Sequence, residues 1–502
     1  METAEHIRAG FRRAFQSRQH WEAYWRDCYR YALPQREAGS GAGGQGGRQD
    51  DRLFDATAAD AVDQLAASLL SELTPPWARW LELCPGTEVQ AAERTEVAPA
   101  LDQASAVLQS HFDRSNFAVE VHQCFLDLVT AGTACLLFEE APLGEASAFR
   151  FTAVPIHDVV LEEGPAGRLD RTWRKLRLSA DQFRTRYGVE PPETSKGEGP
   201  PPIGVLETVQ PADGDYRYLA VRELPDGDDA LLAEGQFASS PFINFRWMKA
   251  PGEGYGRSPV MKALPDIKTA NKVVELVLKN ASIAVTGIWQ ADDDGVLNPA
   301  SVKLVPGAII PKAVGSAGLA PLEAPGRFDV SELVLSDLRA RIRHALLVDR
   351  LGLVQGPRMT ATEVLERAAE MARILGATYG RLQAELLGPL VARGMAILRR
   401  RGEIGDIRVD GRVIDLRYRS PLAEAQRRAD AQAALQWIQA VSALGPEAMA
   451  AVDLPAFARW FGEQMAVPGE LIRPLPPPDP LGLAGIADVL APVLAEAVRH
   501  DG

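Results

Sequence analysis

The sequence predicts an α+β fold in which helices open and close the chain and a β-rich stretch fills its middle. Three observations carry that reading. Apolar residues recur every three or four positions in the N-terminal part and through most of the chain after residue 258, the period of helices with one buried face. From Ala134 to Trp247 the period changes to short β-branched and aromatic runs separated by Gly and Pro. Beyond it, a Gly/Pro-punctuated segment at 286–328 interrupts two helices, which makes a hairpin with a small lobe at its tip. At 502 residues and 46% hydrophobic content, the chain can bury more than one packed core.

Residues 3–33 read as a helix on which Phe11, Phe15, Trp21, Trp25, Cys28 and Tyr31 form a core-facing stripe. Gly39–Gly47 is a glycine-rich link. It contains G-x-G-x-x-G at Gly41, Gly43 and Gly46, but a dinucleotide fingerprint follows a strand and this one follows a helix. Helices are expected at 55–73 and 91–132. Between them, Thr74-Pro-Pro-Trp-Ala-Arg-Trp-Leu-Glu-Leu83 ends the first helix, because neither proline donates a backbone N–H, and supplies two tryptophans to dock the exit strand.

In the β-rich region the strand candidates are Cys135–Phe138, Phe149–Thr152, Val159–Leu161, Tyr216–Arg222 and Phe242–Arg246, mostly antiparallel, with one short helix at 179–187. The Pro200–Pro202 cluster reads as a surface loop. Gly252–Pro259 is a tight turn into a helix; no G-K-[ST] follows, so it is not a phosphate loop. Ser258 suits the N-cap and Pro259 the first helical position, and Pro265 is expected to break and restart the helix.

Ile267, Ala270, Val274, Val277, Ala281 and Ala284 then alternate three and four apart, the seam of helices packed side by side. Ile267, Val274, Val277 and Ala281 are therefore candidates for packing between subunits. A second face carries Lys268, Lys272, Glu275, Lys279 and Ser282, read either as a solvated face or as the lining of a central channel. The 286–328 lobe holds an acidic turn, Asp292, Asp293 and Asp294.

Helix resumes at 330–349 with Arg339, Arg341, Arg343 and His344 near its end, and a loop runs from Arg350 to Arg358. Thr360 and Glu363 form a capping box for a long helix whose apolar face runs from Val364 to Leu390. Pro389 predicts a kink, and Arg399–Arg401 complement the dipole at its end. A return strand near 407–419, a helical region from Ser420 to about 465 and a proline-rich link to an apolar C-terminal helix complete the chain.

Catalytic chemistry is not found. The histidines offer no H-E-x-x-H, His122 and Cys124 are too little for a metal site, and there is no G-x-S-x-G, Walker or kinase signature. Asp292–Asp294 lacks the glutamate of a calcium loop. No catalytic residue, metal or cofactor is expected. The four cysteines show no C-x-x-C spacing and suit a reducing compartment. Neither a signal peptide nor an uncharged membrane-spanning window is apparent, and no membrane partner is expected. A formal charge of −13 argues against a protein that coats DNA, yet it is compatible with a conduit whose walls must not hold a sliding duplex.

The helix from Asp51-Arg-Leu-Phe-Asp-Ala-Thr57 into Thr74-Pro-Pro-Trp-Ala-Arg-Trp80 resembles the head-to-tail connecting (portal) proteins of short-tailed double-stranded DNA bacteriophages. The likeness continues in order through Ile156–Pro165, Trp173–Leu178, Tyr255–Pro259 with Leu264–Thr269, Pro306–Ala308, Arg358–Val364, Gln383–Arg393 and Ser420–Ala423. It implies a portal-type fold: wing 1–257, stem helices 258–285 and 329–349, clip 286–328, channel loop 350–359, long helix and return strand 360–419, crown 420–470 and tail 471–502.

It implies further a ring of about twelve subunits at one capsid vertex, made in the host cytoplasm, through which double-stranded DNA is packaged and ejected. The partners so implied are terminase, a tail adaptor, and the major capsid and scaffold proteins. On that plan Lys268, Lys272, Lys279, Arg350 and Arg358 face the DNA channel, and Asp292, Asp293 and Asp294 receive terminase and adaptor. Two alternatives stay open: a non-enzymatic oligomeric scaffold of another kind, and a nuclease or ATPase component of DNA packaging.

Overall fold

Helix α1 (Ala4–Ala32) crosses one face of an antiparallel sheet. The structure is a computed structural model. It describes residues 4–39, 53–76, 78–85, 91–190, 202–222, 231–286, 289–291, 319–321, 328–351, 376–405, 414–418, 421–449 and 452–465. The sheet has five strands in sequence order: β4 (Val159–Glu162), β5 (Arg171–Leu178), β6 (Ile203–Ala212), β7 (Asp215–Arg222) and β8 (Leu231–Phe237). Because side chains alternate across a strand, Leu206, Leu219 and Val221 join Ile7, Phe11 and Trp173 under α1. Their neighbours Val205 and Ala220 pack on the opposite face with Phe183 of α5 (Ala180–Tyr187). Ser179 caps α5 through a complete capping box with Gln182.

A three-stranded sheet, order β3-β2-β9, joins β2 (Thr133–Glu140), β3 (Phe149–Val154) and β9 (Phe242–Arg246). Every strand pairing in both sheets is antiparallel, as expected from the turns between them. Three of the strands, β5, β6 and β8, are additions to the five candidates from sequence; basic residues recur along β5, and polar residues with Gly or Pro interrupt the apolar runs of β6 and β8.

The chain divides into two compact units, neither contiguous in sequence. One comprises residues 1–71, 115–355 and 375–393; the other comprises 72–114, 356–374 and 394–502. Helix α2 (Thr57–Leu73) ends where the double proline predicts. The second unit contains β1 (Leu81–Pro85), which pairs antiparallel with β12 (Ile414–Tyr418) and packs on α3 (Ala91–Arg114). There Trp80, buried, meets Phe112 edge-on at 5.2 Å, and Ser105 Oγ accepts the Leu83 N–H at 2.8 Å. The exit strand is thus docked by the second tryptophan of its motif. Trp77 lies outside the described residues.

Four expectations need correction. The predicted helix at 91–132 is two helices, α3 and α4 (Phe117–Ala131), because Asn116 turns to β3, its amide exchanging hydrogen bonds with the Phe151 backbone. Pro265 does not interrupt α6 (Pro259–Thr286). The helix after the lobe, α7 (Phe328–Ala345), ends four residues early, in a turn where Leu347 takes a φ of 61°. Arg350 then lies in a short helix, α8 (Val348–Leu351), and not in a loop.

Candidate functional site

No described group of histidine, cysteine or carboxylate side chains is arranged to hold a metal, and no described helix is long and apolar enough to cross a membrane. The candidate site is therefore a surface: the α6–α7 hairpin and the elements that hold its base. Helices α6 and α7 pack together with Asp266, near the start of one, 2.6 Å from Arg341, near the end of the other, so they run antiparallel. At the far end, β10 (Trp289–Ala291) pairs with β11 (Leu319–Pro321) and closes the hairpin.

The base is fixed by Ser258. Its hydroxyl accepts the Met261 N–H at 2.9 Å and donates to Thr130 O at 2.8 Å, so one side chain both caps α6 and ties it to α4. Pro265 leaves Met261 O without its intrahelical donor. Tyr24 on α1 donates its hydroxyl to that carbonyl at 2.9 Å, which is why the helix continues. Asn271 accepts two backbone N–H groups, from Phe54 at 2.7 Å and Asp55 at 3.1 Å. Asp55 in turn accepts from Thr57 at the start of α2 and pairs with Arg339 of α7 at 2.9 Å. Burial pushes the Asp55 carboxyl up, but the Thr57 and Arg339 contacts outweigh it and the pKa lies below the ordinary carboxylate value. The Phe54-Asp-Ala-Thr57 stretch of the sequence motif is thus the knot that joins α2, α6 and α7.

The predicted seam divides along its length. Ile267 is 2% exposed and Ala270 fully buried within this chain, so Ile267 offers no surface to another subunit. Val274, Val277 and Ala281 are half-buried, and Leu276 and Leu278, which the seam did not include, are about half exposed at 49% and 53%. The charged face also divides. Lys268 pairs with Asp27 of α1 at 2.6 Å. Lys272 and Lys279, with side chains 61% and 63% exposed, flank Glu275 at 2.9 and 2.6 Å. The hydrogen bonds from Lys279 and Lys272 hold the Glu275 carboxyl below its ordinary pKa. Asp292, Asp293, Asp294, Arg358 and the Thr360 capping box lie outside the described residues, and of Arg350 only the backbone is described.

A second anchor was not singled out from sequence. Arg246 on β9 is fully buried, and each of its five donors has an acceptor. Nε and Nη2 reach Glu385, Nη1 reaches Glu163 at 3.2 Å and Gly254 O at 3.0 Å, and Nη2 also reaches Gly167 O at 2.8 Å. Glu385 sits in a π-turn, Gln383–Leu387, where Gly388 N–H reaches back to Gln383 O. The sequence predicts a kink from Pro389; the structure has this widened turn just before it, at the start of α9 (Gly388–Arg401), where the proline cannot donate to the carbonyl of residue 385. Arg393, one turn on, donates to Phe138 O at 2.6 Å and Ser239 O at 2.7 Å and lies over the Phe138 and Phe237 rings.

The comparison that decides the family covers nearly the whole chain: residues 4–472 match the sequence profile described as "Bacteriophage head to tail connecting protein". The chain belongs to that family. As a head-to-tail connecting protein it is a structural component of the phage virion, at the junction its family name describes. Among its relatives, the "Probable portal protein" of Bordetella phage BPP-1 is 23% identical over 91% of this chain and 86% of its own length. The "Portal protein" of Salmonella phage epsilon15 is 25% identical over 85% and 81%. That of Enterobacteria phage T3 is 24% identical over 67% of this connector and 64% of the T3 protein. Among solved structures, a chain from the "Virion of native gene transfer agent (GTA) particle" aligns at a TM-score of 0.36 with 12% identity, covering 76% of this chain and 86% of that one.

Proposed function

We propose that this connector is a portal subunit: about twelve copies form a ring at one capsid vertex, and double-stranded DNA enters and leaves through its centre. The observation that carries the reading is the family match across residues 4–472, which spans the α6–α7 hairpin and the lobe inserted at its tip. In this reading α6 and α7 are the stem. Lys272 and Lys279 then face the channel, where two lysines whose charge is partly offset by Glu275 touch phosphates weakly and let the duplex slide. Arg350 and Arg358 flank the channel loop. Asp292, Asp293 and Asp294 at the hairpin tip receive terminase and then the tail adaptor, and residues 420–470 form the crown.

Electron microscopy and native mass measurement of the purified protein test this directly. The expected result is a ring with a central hole. Only a 54.4 kDa monomer across a range of salt and protein concentrations would overturn it.

A further inference from the structure

Helix α1 reverses the charge of the chain it opens. The protein carries a formal charge of −13, yet the 29 residues of α1 hold six arginines, no lysine and three carboxylates. Two of those carboxylates are engaged: Glu22 pairs with Arg18 at 3.1 Å and Asp27 with Lys268 at 2.6 Å. Glu5 is the third. The arginines are also ordered along the helix. Arg8 and Arg12 stand one turn apart, and Arg26 and Arg30 repeat that step about five full turns later, so all four fall within a sector about 40° wide. Ile7, Phe11 and Ala14 point into the sheet, which leaves this sector on the flank of α1, with Arg12 and Arg26 exposed. From Arg8 to Arg30 the stripe runs roughly 33 Å, about one turn of duplex DNA.

Strand β5 adds to the stripe where it passes under α1. It carries Arg171, Arg174, Lys175 and Arg177 and no carboxylate. Lys175 Nζ stands 4.6 Å from the centre of the Phe11 ring, next in sequence to Arg12. Arg177, two residues on, leaves the sheet on the same face, and both side chains are exposed. Asp158 faces Arg177, but Arg174 and Arg18 share its charge. The local balance therefore stays basic.

An acidic protein and a phosphate backbone both answer to such a stripe, and the rest of the helix surface separates them. None of the exposed large apolar side chains of the described chain lies on α1. A protein interface is built around an apolar, aromatic centre, which is missing here. A phosphate backbone asks only for a row of cations, and guanidinium forks match its oxygens two at a time.

We propose that Arg12, Arg26, Lys175 and Arg177, with Arg8 and Arg30 in line, form a track that binds the phosphate backbone of duplex DNA, separate from Lys272 and Lys279 on α6. The track is read from α1 and β5 alone and does not depend on the channel reading.

Binding of the purified full-length protein to a covalently closed DNA minicircle tests it, because a closed circle cannot thread a ring and reports only contacts made elsewhere. Wild type should bind the minicircle with a steep salt dependence. Arg12→Gln/Arg26→Gln/Lys175→Gln/Arg177→Gln should bind at least about tenfold more weakly at 100 mM salt, and its slope of log affinity against log salt should be shallower by about 3. Lys272→Gln/Lys279→Gln should bind the minicircle as wild type does. Unchanged thermal midpoints certify the fold of both variants. Wild type that ignores the minicircle at low salt overturns the proposal, as does a quadruple variant with wild-type affinity and slope. Poly-glutamate that displaces the DNA at equal charge concentration also overturns it and assigns the stripe to an acidic protein.

Discussion

Pro265 and Tyr24 form a matched pair: one removes a hydrogen-bond donor from α6 and the other, from α1, replaces it at Met261 O. Replacing Tyr24 with Phe should cost about 1–2 kcal/mol in chemical denaturation, because it leaves a carbonyl in a packed interface unmatched. In a Pro265→Ala background the residue 265 N–H can bond Met261 O, and the same Tyr24→Phe change should cost less than about 0.5 kcal/mol. Equal losses in the two backgrounds would refute the pairing. Sequence exposes Pro265 but not its rescuer, since Tyr24 lies on another helix, and the expected break in α6 was wrong for that reason. His157 offers a second residue-level test. Burial, with Arg18 and Arg26 nearby, lowers its pKa from 6.5 to about 4. The unfolded chain therefore takes up the proton first as pH falls, and His157 should lower stability progressively between pH 6.5 and about 4. Thermal midpoints of wild type and His157→Phe should diverge in that window as acid increases, with the variant gaining; parallel curves would exclude the effect.

At the scale of elements, α4 and the turn into α6 meet backbone to backbone. Gly132 ends α4 with φ 79°, and a Cβ built on Gly256 would lie 2.1 Å from Gly132 O. Gly256 itself has an ordinary φ, so its need for glycine is one of space alone. Gly256→Ala should destabilise by about 3 kcal/mol or more, seen as a lowered thermal midpoint or loss of soluble protein. Gly254→Ala, where no atom lies within 4 Å of the added methyl, should be nearly neutral. Similar midpoints for the two variants would contradict this account. The sequence predicts a tight turn at Gly252–Pro259, and the turn is there; which of its glycines is indispensable depends on α4, which the local pattern does not contain.

For the molecule as a whole, the anchors sit at the base of the hairpin and around the π-turn, before and after residues 352–375 in the sequence. Asp55, Asn271 and Arg339 fix one side, and Arg246 with Glu385 fixes the other. Neither anchor draws on residues 351–357. Deleting residues 351–357 should therefore leave ring assembly intact under the electron microscope and reduce DNA packaging or retention by at least about tenfold, the scale of a lost contact network. Full-length packaging at the normal level by such rings would remove the channel role from this segment.

The sequence by itself determined the fold class, the succession of helical and β-rich regions, the family, and the places where Ser258, Pro259 and the double proline begin or end a helix. Those features depend on neighbours within a few positions, through backbone donors, local capping and the period of apolar residues. Tertiary structure alone decided which charges are engaged and which side chains carry the frame. Lys268 and Lys272 share a face on α6 and read alike in sequence, yet one pairs with Asp27 on α1 and the other with Glu275 on its own helix. Arg246, inside a strand-like Phe-Ile-Asn-Phe-Arg run, gives no local sign that it will be fully buried. A buried guanidinium is stable only when every donor is matched and a carboxylate is close, and its acceptors come from three separate stretches of chain, at 163–167, at Gly254 and at Glu385, that only folding brings together.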